Sequence, residues 1–149
     1  MIEEAAVDNP SSSESLRRGC VQVFTGEGKG KTTAALGTVL RASGHGMKVC
    51  VVVFMKGDYP YGEWESLAKL PNITVSTFGF REFTDRANIK PEEIEQARQA
   101  LDTACEAVLS GSYDLVVLDE VHVAVSYKLI ELDEVLKLVA GRPSNVELI

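Results

Sequence analysis

TGEGKGKTTAALG, residues 25–37, is the part of this sequence that decides the fold. Its glycines can adopt positive φ angles, so that main-chain N–H groups converge on an anion. Lys31 can reach terminal phosphate oxygens, and the hydroxyl of Thr32 can ligate an accompanying Mg²⁺. A helix that begins at this point adds the positive end of its dipole. We therefore expect this run to bind a nucleotide polyphosphate: Thr25, Gly26, Glu27, Gly28, Lys29, Gly30, Lys31, Thr32 and Thr33.

The flanking sequence supports a phosphate site. Residues 20–24 have the composition of a strand, and residues 33–36 have that of a helix. The usual pattern is G-x-x-x-x-G-K-[ST]; here Thr25 takes the first position and Gly26 follows it. The alternative is a glycine-rich turn that binds nothing. We prefer the phosphate site because a lysine–threonine pair at a helix start has no packing purpose.

Length and charge limit the class of protein. The 149 residues suit one domain with a substantial core. A net charge of −7 argues against a nucleic-acid partner, which needs a broad basic patch, but not against a nucleotide. The sequence has no apolar stretch near the ~20 residues that span a bilayer and no signal-peptide segment. We expect a cytoplasmic protein without a membrane partner.

The cysteines Cys20, Cys50 and Cys105 are odd in number and share no C-x-x-C spacing. The first two fall in apolar, strand-like runs, and the third falls on the apolar stripe of a helix. We expect small buried side chains in a reducing compartment, in preference to a redox or metal role.

Strand-like and helix-like segments alternate along the chain. Strands are predicted at residues 20–25, 47–54, 72–76, 113–118 and 145–149. Helices are predicted at residues 30–43, 63–70 and 91–108, and in a last segment with one apolar face formed by Leu132, Val135, Leu136 and Val139. This alternation predicts an α/β fold with a parallel sheet and ligands at the carboxyl ends of its strands. Residues 1–18 are polar and serine-rich, so we expect a flexible tail before a domain at 19–149.

One apolar strand ends in Asp119 and Glu120, at the same predicted sheet edge as the phosphate loop. Acids at a strand end are, by themselves, common in loops and helix starts. Beside Lys31 and Thr32 they predict a Mg²⁺ site formed by Thr32, Asp119 and Glu120. The sequence leaves open which acid touches the metal.

Other polar and aromatic side chains carry weaker signals. No Ser, Cys or second His partner accompanies His122, so we favour a packed or partly exposed histidine over a catalytic one. His45 sits in a Gly-His-Gly turn and is expected to be structural. Packing is the default for Trp64, Tyr59 and Tyr61, with a mobile flap over the site as the alternative.

Four segments, in this order, resemble one family. They are TGEGKGKTTAALGTVLRASGHGMKV, VFMKGDYPYGE, FGF and YDLVVLDEVHVAV. They look like the P-loop ATP:corrinoid adenosyltransferases, the cob(I)alamin or cob(I)yrinic acid a,c-diamide adenosyltransferase family, over about residues 17–148. Threonine at the first loop position is typical of that family. The resemblance implies a P-loop NTPase (RecA-like) three-layer α/β fold with a mainly parallel central sheet.

The resemblance also implies a reaction. Cobalt(I) of a reduced corrinoid attacks the ribose 5′-carbon of ATP, forms a cobalt–carbon bond and expels inorganic triphosphate, in adenosylcobalamin biosynthesis or salvage. The growing charge of triphosphate needs Mg²⁺ and converging positive groups, which gives catalytic roles to Lys31, Thr32 and Glu120. No general base is required, because cobalt(I) is already a strong nucleophile.

The implied corrinoid site is the aromatic loop, with Gly79, Phe80 and Phe83. Phe80 is our candidate for the apolar wall that removes the lower axial ligand of cobalt, with a core position as its alternative. The family commonly has tryptophan two residues later, where this chain has Glu82. Members also continue through a Thr-Gly-Arg segment and another helix, whereas this chain ends at Ile149. We expect a shortened member that lacks the last strand–helix segment.

The resemblance implies partners as well. The family forms homodimers in which the N-terminal segment covers the corrinoid site of the partner, which suggests a purpose for residues 1–18. A reductase is expected to deliver electrons to cobalt. Two other classes stay open from the residues alone: an ATP- or GTP-hydrolysing switch, and a non-catalytic nucleotide- or corrinoid-binding module.

Overall fold

The computed structural model describes residues 18–57 and 59–149. The predicted tail therefore lies outside the described residues, except for Arg18. The described elements are, in chain order, α1 (Lys31–Gly44), β1 (Val49–Val53), α2 (Gly62–Leu67), β2 (Ile73–Thr77), α3 (Pro91–Leu109), β3 (Leu115–Asp119), α4 (Val121–Ser126), α5 (Leu132–Gly141) and β4 (Glu147–Leu148). No helix within the described ranges is long and apolar enough to cross a bilayer.

The described strands form one parallel sheet in the order β2-β1-β3-β4. Val53 at the end of β1 pairs with Thr77 of β2 and with Asp119 of β3. The carboxyl ends of these three strands therefore meet at one edge, and the loops that follow them are neighbours. The predicted parallel sheet is confirmed.

Apolar side chains cover both faces of the sheet. On one face, Cys50, Val52 and Phe54 pack in a buried cluster with residues of α3, α4 and α5. On the other, Val49 and Val51 pack with residues of α1 and α2. Alternate residues of a strand point to opposite faces, so a continuous apolar run marks a strand covered on both sides. The three-layer arrangement of a P-loop NTPase-like fold is thus confirmed.

The prediction of a strand at 20–25 is wrong. Only an isolated parallel bridge joins Val21 to Leu148, with a hydrogen bond of 2.8 Å from Gln22 N–H to the Leu148 carbonyl. The neighbouring strand β4 has only two residues, so residues 20–25 have no longer strand with which to form a ladder of hydrogen bonds. The segment still runs parallel to the sheet and leads into the phosphate loop.

Two features of the C-terminal helices differ from expectation. The six-residue helix α4 was not predicted, because its sequence VHVAVS is β-branched and too short to show a helical period. In α5 the fully buried side chain is Leu138, whereas Leu132 and Leu136 are 54% and 53% exposed. The predicted apolar face was therefore partly wrong: Val135 and Val139 pack against the core, but the helix is rotated toward Leu138.

The cysteines differ in exposure, which predicts selective alkylation. Cys50 is buried and Cys105 is partly buried, but Cys20 is exposed, so its predicted burial is wrong. Burial raises the pKa of Cys50 to about 11, and burial with the charges of Asp102 and Glu134 raises that of Cys105. A raised pKa lowers the thiolate fraction, and the thiolate is the nucleophile. Iodoacetamide at pH 8 should therefore label Cys20 first in mass spectrometry; equal labelling of Cys50 in folded protein would contradict the assigned burial.

Candidate functional site

The phosphate loop forms an exposed turn at the start of α1. Gly26 and Gly30 have φ angles of 131° and 100°, which favour glycine, whereas Gly28 does not have a positive φ. The ammonium of Lys31 donates hydrogen bonds of 2.8 Å to the Gly26 carbonyl and 2.7 Å to the Gly28 carbonyl. The lysine thus bends back over its own loop, where a phosphate group would meet both the ammonium and the start of the helix.

The start of α1 and the end of β3 meet through side chains. The Thr32 hydroxyl donates a hydrogen bond of 2.9 Å to Oδ1 of Asp119, and both residues are partly buried. This contact spans the sheet edge and brings together two of the three predicted metal ligands. A hydroxyl and a carboxylate oxygen are the hard ligands that Mg²⁺ prefers.

Lys56, three residues beyond the end of β1, joins the two acids in a charged cluster that we define as Lys56, Asp119 and Glu120. Its ammonium lies 2.9 Å from Oδ2 of Asp119 and 2.9 Å from Oε1 of Glu120. Burial opposes the charge on Lys56, but hydrogen bonds and Coulombic attraction from Glu120 and Asp119 outweigh it and raise its pKa. Sequence reasoning missed this residue, although a lysine just beyond a buried strand is a signal for the same sheet edge.

Backbone geometry holds the cluster in place. Met55 and Glu120 have φ angles of 61° and 65°, an uncommon left-handed conformation for side chains of this size. The loops after β1 and β2 also touch directly: an added Cβ on Gly57 would lie 2.0 Å from the carbonyl oxygen of Gly79. The backbone N–H of Lys56 donates a 3.0 Å bond to the Phe78 carbonyl. The position of Lys56 is therefore set by the main chain of two neighbouring loops.

A cavity of about 220 Å³ lies between the phosphate loop and β3. The predicted site residues among its walls are Thr25, Gly26, Lys31, Thr32, Asp119 and Glu120. The other predicted loop residues are exposed on the surface of the turn: Glu27, Gly28, Lys29, Gly30 and Thr33. His122 lines the same cavity and is exposed. Of the packed and the partly exposed histidine that the sequence analysis favoured, the packed one is therefore wrong.

The aromatic loop follows β2 at the same sheet edge. Phe80 is 45% exposed and Phe83 is 90% exposed, so the alternative of a core position for Phe80 is wrong. Both, together with Glu82, line a broad cavity of about 630 Å³. Gly79, the third predicted residue, has a φ of 110° and its N–H donates to the side chain of Gln96 at 3.1 Å. The loop is therefore anchored at its start and presents its aromatic rings outward.

The phosphate-loop cavity and the aromatic-loop cavity are separate, but a smaller cavity shares lining residues with each. A third cavity, of about 150 Å³, is lined by Phe83 of the aromatic loop together with Lys56, Glu120 and Val123. Glu120 and Val123 also line the cavity at the phosphate loop. The predicted nucleotide and corrinoid residues are thus adjacent on one surface, with Glu120 between them.

The donor set near the loop fits a magnesium ion that shares its ligands with a nucleotide. Within the described residues no group of three or more His, Cys, Asp or Glu side chains could hold a metal by itself. Thr32, Asp119 and Glu120 offer one hydroxyl and two carboxylates, and Mg²⁺ commonly completes its shell with phosphates and water. These residues fit such an ion.

Trp64 and Tyr61 pack in the interior, whereas Tyr59 and the side chain of His45 are exposed. Trp64 is buried in the cluster beneath α1, and Tyr61 lies 6.4 Å from it and 4.5 Å from Tyr59, measured between ring centroids. The backbone N–H of His45 caps the end of α1. Packing, the default expectation for these residues, is confirmed for Trp64 and Tyr61.

Comparison with known proteins gives consistent matches. A family model described as "ATP:corrinoid adenosyltransferase BtuR/CobO/CobP" matches residues 17–149. The chain is 36% identical to a corrinoid adenosyltransferase of Pseudomonas aeruginosa over 95% of this chain and 70% of that protein. It is 38% identical to the corrinoid adenosyltransferase CobA of Salmonella typhimurium, over 93% and 70%, and 40% identical to the Escherichia coli K12 corrinoid adenosyltransferase, over 85% and 63%. The chain thus spans about two thirds of the length of these relatives.

Proposed function

Because this chain belongs to the ATP:corrinoid adenosyltransferase family, we propose that it transfers the 5′-deoxyadenosyl group of ATP to the cobalt(I) of a reduced corrinoid and releases inorganic triphosphate. The family assignment made from sequence motifs is confirmed, and with it the class of enzyme, a transferase. Nothing in the comparisons favours a hydrolytic switch or a binding module. The observation that carries the proposal is the adjacency, through Glu120, of the phosphate-loop cavity and the aromatic loop.

Lys31 and the phosphate loop are proposed to hold the triphosphate of ATP. The ammonium already lies within hydrogen-bonding distance of two loop carbonyls, so a small rotation brings it to a phosphate bound in the turn. Exposed N–H groups at the start of α1 add positive potential. This arrangement stabilises the charge that develops on triphosphate as it leaves, which is the main electrostatic demand of the reaction.

Mg²⁺ is proposed to bind at Thr32, Asp119 and Glu120. When bound, the ion neutralises phosphate oxygens of the leaving group. The Thr32–Asp119 hydrogen bond supports this location because it brings a hydroxyl and a carboxylate to the end of the phosphate loop. Asp119, one of whose oxygens lies 2.9 Å from Thr32, is the better candidate for the direct or water-mediated contact.

The corrinoid is proposed to lie against the aromatic loop, with Gly79, Phe80 and Phe83. The exposure of both rings and the size of the adjoining cavity support a large, flat ligand. An apolar wall at this position disfavours a polar lower axial ligand on cobalt, which makes reduction to cobalt(I) easier. Glu82 lines the same cavity and gives it a charged rim.

We further propose that the protein works in the cytoplasm as a homodimer with an electron-donating reductase. Residues 1–18 would cover the corrinoid site of the partner, and of these only Arg18 belongs to the described part of the chain. Light scattering on purified protein tests the dimer, and a monomer that is fully active would remove it from the proposal.

The activity is tested by incubating the protein with ATP, Mg²⁺ and a chemically reduced corrinoid. Inorganic triphosphate together with the absorption spectrum of an organocobalt product is the expected result. Orthophosphate in place of triphosphate would instead indicate a hydrolase. Bound but unchanged substrates would indicate a binding module, and either outcome contradicts the proposed transfer.

Phe80→Ala and Phe83→Ala test the corrinoid site separately from the nucleotide site. Each variant is expected to raise KM for the corrinoid or lower kcat by about 5- to 30-fold, since the lost aromatic contact is worth about 1–2 kcal/mol. The affinity for ATP should stay unchanged. Leu136→Ala, which removes an exposed apolar side chain from α5, is the matched control. Unchanged corrinoid kinetics in both phenylalanine variants would exclude the loop as the site.

A further inference from the structure

The ammonium of Lys56 lies where two carboxylates converge. It bridges Oδ2 of Asp119 and Oε1 of Glu120 at 2.9 Å each. The other oxygen of Asp119, Oδ1, accepts the hydrogen bond from Thr32. Both oxygens of Asp119 are therefore engaged by side chains of this chain, in the place where an oxygen-seeking cation would bind.

Lys56 is also held more firmly than a surface lysine. Its side chain is 20% exposed, and its ammonium lies 5.8 Å from the centroid of the Tyr61 ring. Its backbone is fixed between the left-handed Met55 and the Gly57–Gly79 contact. A long side chain loses little further freedom in forming an ion pair when its backbone and stem are already placed.

We propose that Lys56 is a built-in counter-cation that weakens the binding of a bare divalent metal, so that the metal enters with the nucleotide and not before it. The inference rests on the proposed metal site at Thr32, Asp119 and Glu120. A positive charge within contact distance of both carboxylates cancels much of the field that would attract Mg²⁺. The triphosphate brings additional negative charge, and this allows the lysine and the metal to be accommodated together.

Mn²⁺ is a suitable probe because its unbound form is quantified directly by electron paramagnetic resonance. Lys56→Met removes the charge and keeps an unbranched side chain that is only one atom shorter. Lys48→Met is the matched control, since Lys48 directly precedes β1 and is exposed at the opposite end of the strand that Lys56 follows. Without nucleotide, Lys56→Met should bind Mn²⁺ about ten- to a hundredfold more tightly than the native protein. Lys48→Met should not differ from native.

A second variant protects the test against a folding defect. Lys56→Gln retains an N–H donor for the carboxylates without the charge, and circular dichroism shows whether each variant is folded. It should tighten Mn²⁺ binding in the same direction. ATP should increase Mn²⁺ affinity less in both Lys56 variants than in the native protein, because part of the barrier to the bare metal has already been removed.

The role of Lys56 and the metal site itself can fail separately. One outcome keeps the metal site and overturns the counter-cation role. In it, native protein binds Mn²⁺ in the presence of ATP and Asp119→Asn weakens this binding, but neither Lys56 variant binds Mn²⁺ more tightly without nucleotide. If Asp119→Asn has no effect on Mn²⁺ binding with ATP, the proposed metal site is wrong and the inference falls with it. Tighter bare-metal binding in Lys56→Met that is lost in Lys56→Met/Asp119→Asn supports both.

Discussion

Lys31→Ala is expected to lower the rate of triphosphate release about 100- to 1,000-fold, the range seen when one preorganised group is removed from a developing negative charge. Lys31 is the charged side chain that begins α1 and arches over the phosphate loop. Its removal takes a full positive charge from the leaving group while the turn and the helix dipole remain. The loss should therefore appear in the single-turnover rate constant measured with saturating ATP and reduced corrinoid.

The stability of this variant should hardly change. The lysine bonds to Gly26 and Gly28 are exposed to solvent, and such contacts contribute little to folding. Lys69→Ala is the matched control, because Lys69 is an exposed lysine between α2 and β2, near the amino end of the strand. An unchanged rate in Lys31→Ala, or an equal loss in Lys69→Ala, would remove Lys31 from the mechanism.

The phosphate loop was predictable from the sequence because its chemistry is local. Gly26, Gly30, Lys31 and Thr32 all lie within seven consecutive residues, and the phosphate-binding role proposed for each does not depend on the rest of the fold. The meeting of Thr32 with Asp119 was predictable too, since the rule that parallel strands end at a common edge places them together. The metal role of these residues stays a prediction.

Lys56 was missed because its role depends on strand order. A lysine after an apolar run can point to solvent, and only the pairing of β1 with β3 brings it to Asp119 and Glu120. The same argument explains the misassigned strand at 20–25: apolar composition was right, but a strand also needs a neighbour long enough to pair with. The periodicity within one segment does not reveal which distant segment that strand will pair with.

The rotation of α5 has a different cause. Its apolar residues are too many for one narrow stripe, so the sequence alone allowed a face through Leu132 and Leu136 as readily as one through Leu138. Contacts with the helix α3 and the sheet selected the second. Tertiary packing therefore chose between two faces that the local pattern left nearly equivalent.

Gly57→Ala is expected to damage stability and activity together. The added Cβ would lie 2.0 Å from the carbonyl oxygen and 2.5 Å from the carbonyl carbon of Gly79. These are backbone atoms that cannot swing aside, so the loops after β1 and β2 must separate. Such overpacking costs about 1–3 kcal/mol of unfolding free energy, measured by urea denaturation. Lys56 and the aromatic loop would shift with their own backbones, so activity should fall further than the remaining folded fraction explains.

Gly37→Ala supplies the control for the same chemical change. Gly37 lies inside α1, and an added Cβ there would have no heavy atom within 4 Å. Alanine in a helix interior is preferred over glycine, so this variant should gain about 0.5–1 kcal/mol and keep its activity. The two substitutions change the free energy of unfolding in opposite directions. Gly57 allows two backbones to touch, whereas Gly37 only gives the unfolded chain more conformational freedom. If Gly57→Ala were as stable and as active as native protein, the contact between the two loops would not be what holds Lys56 and Phe80 in place.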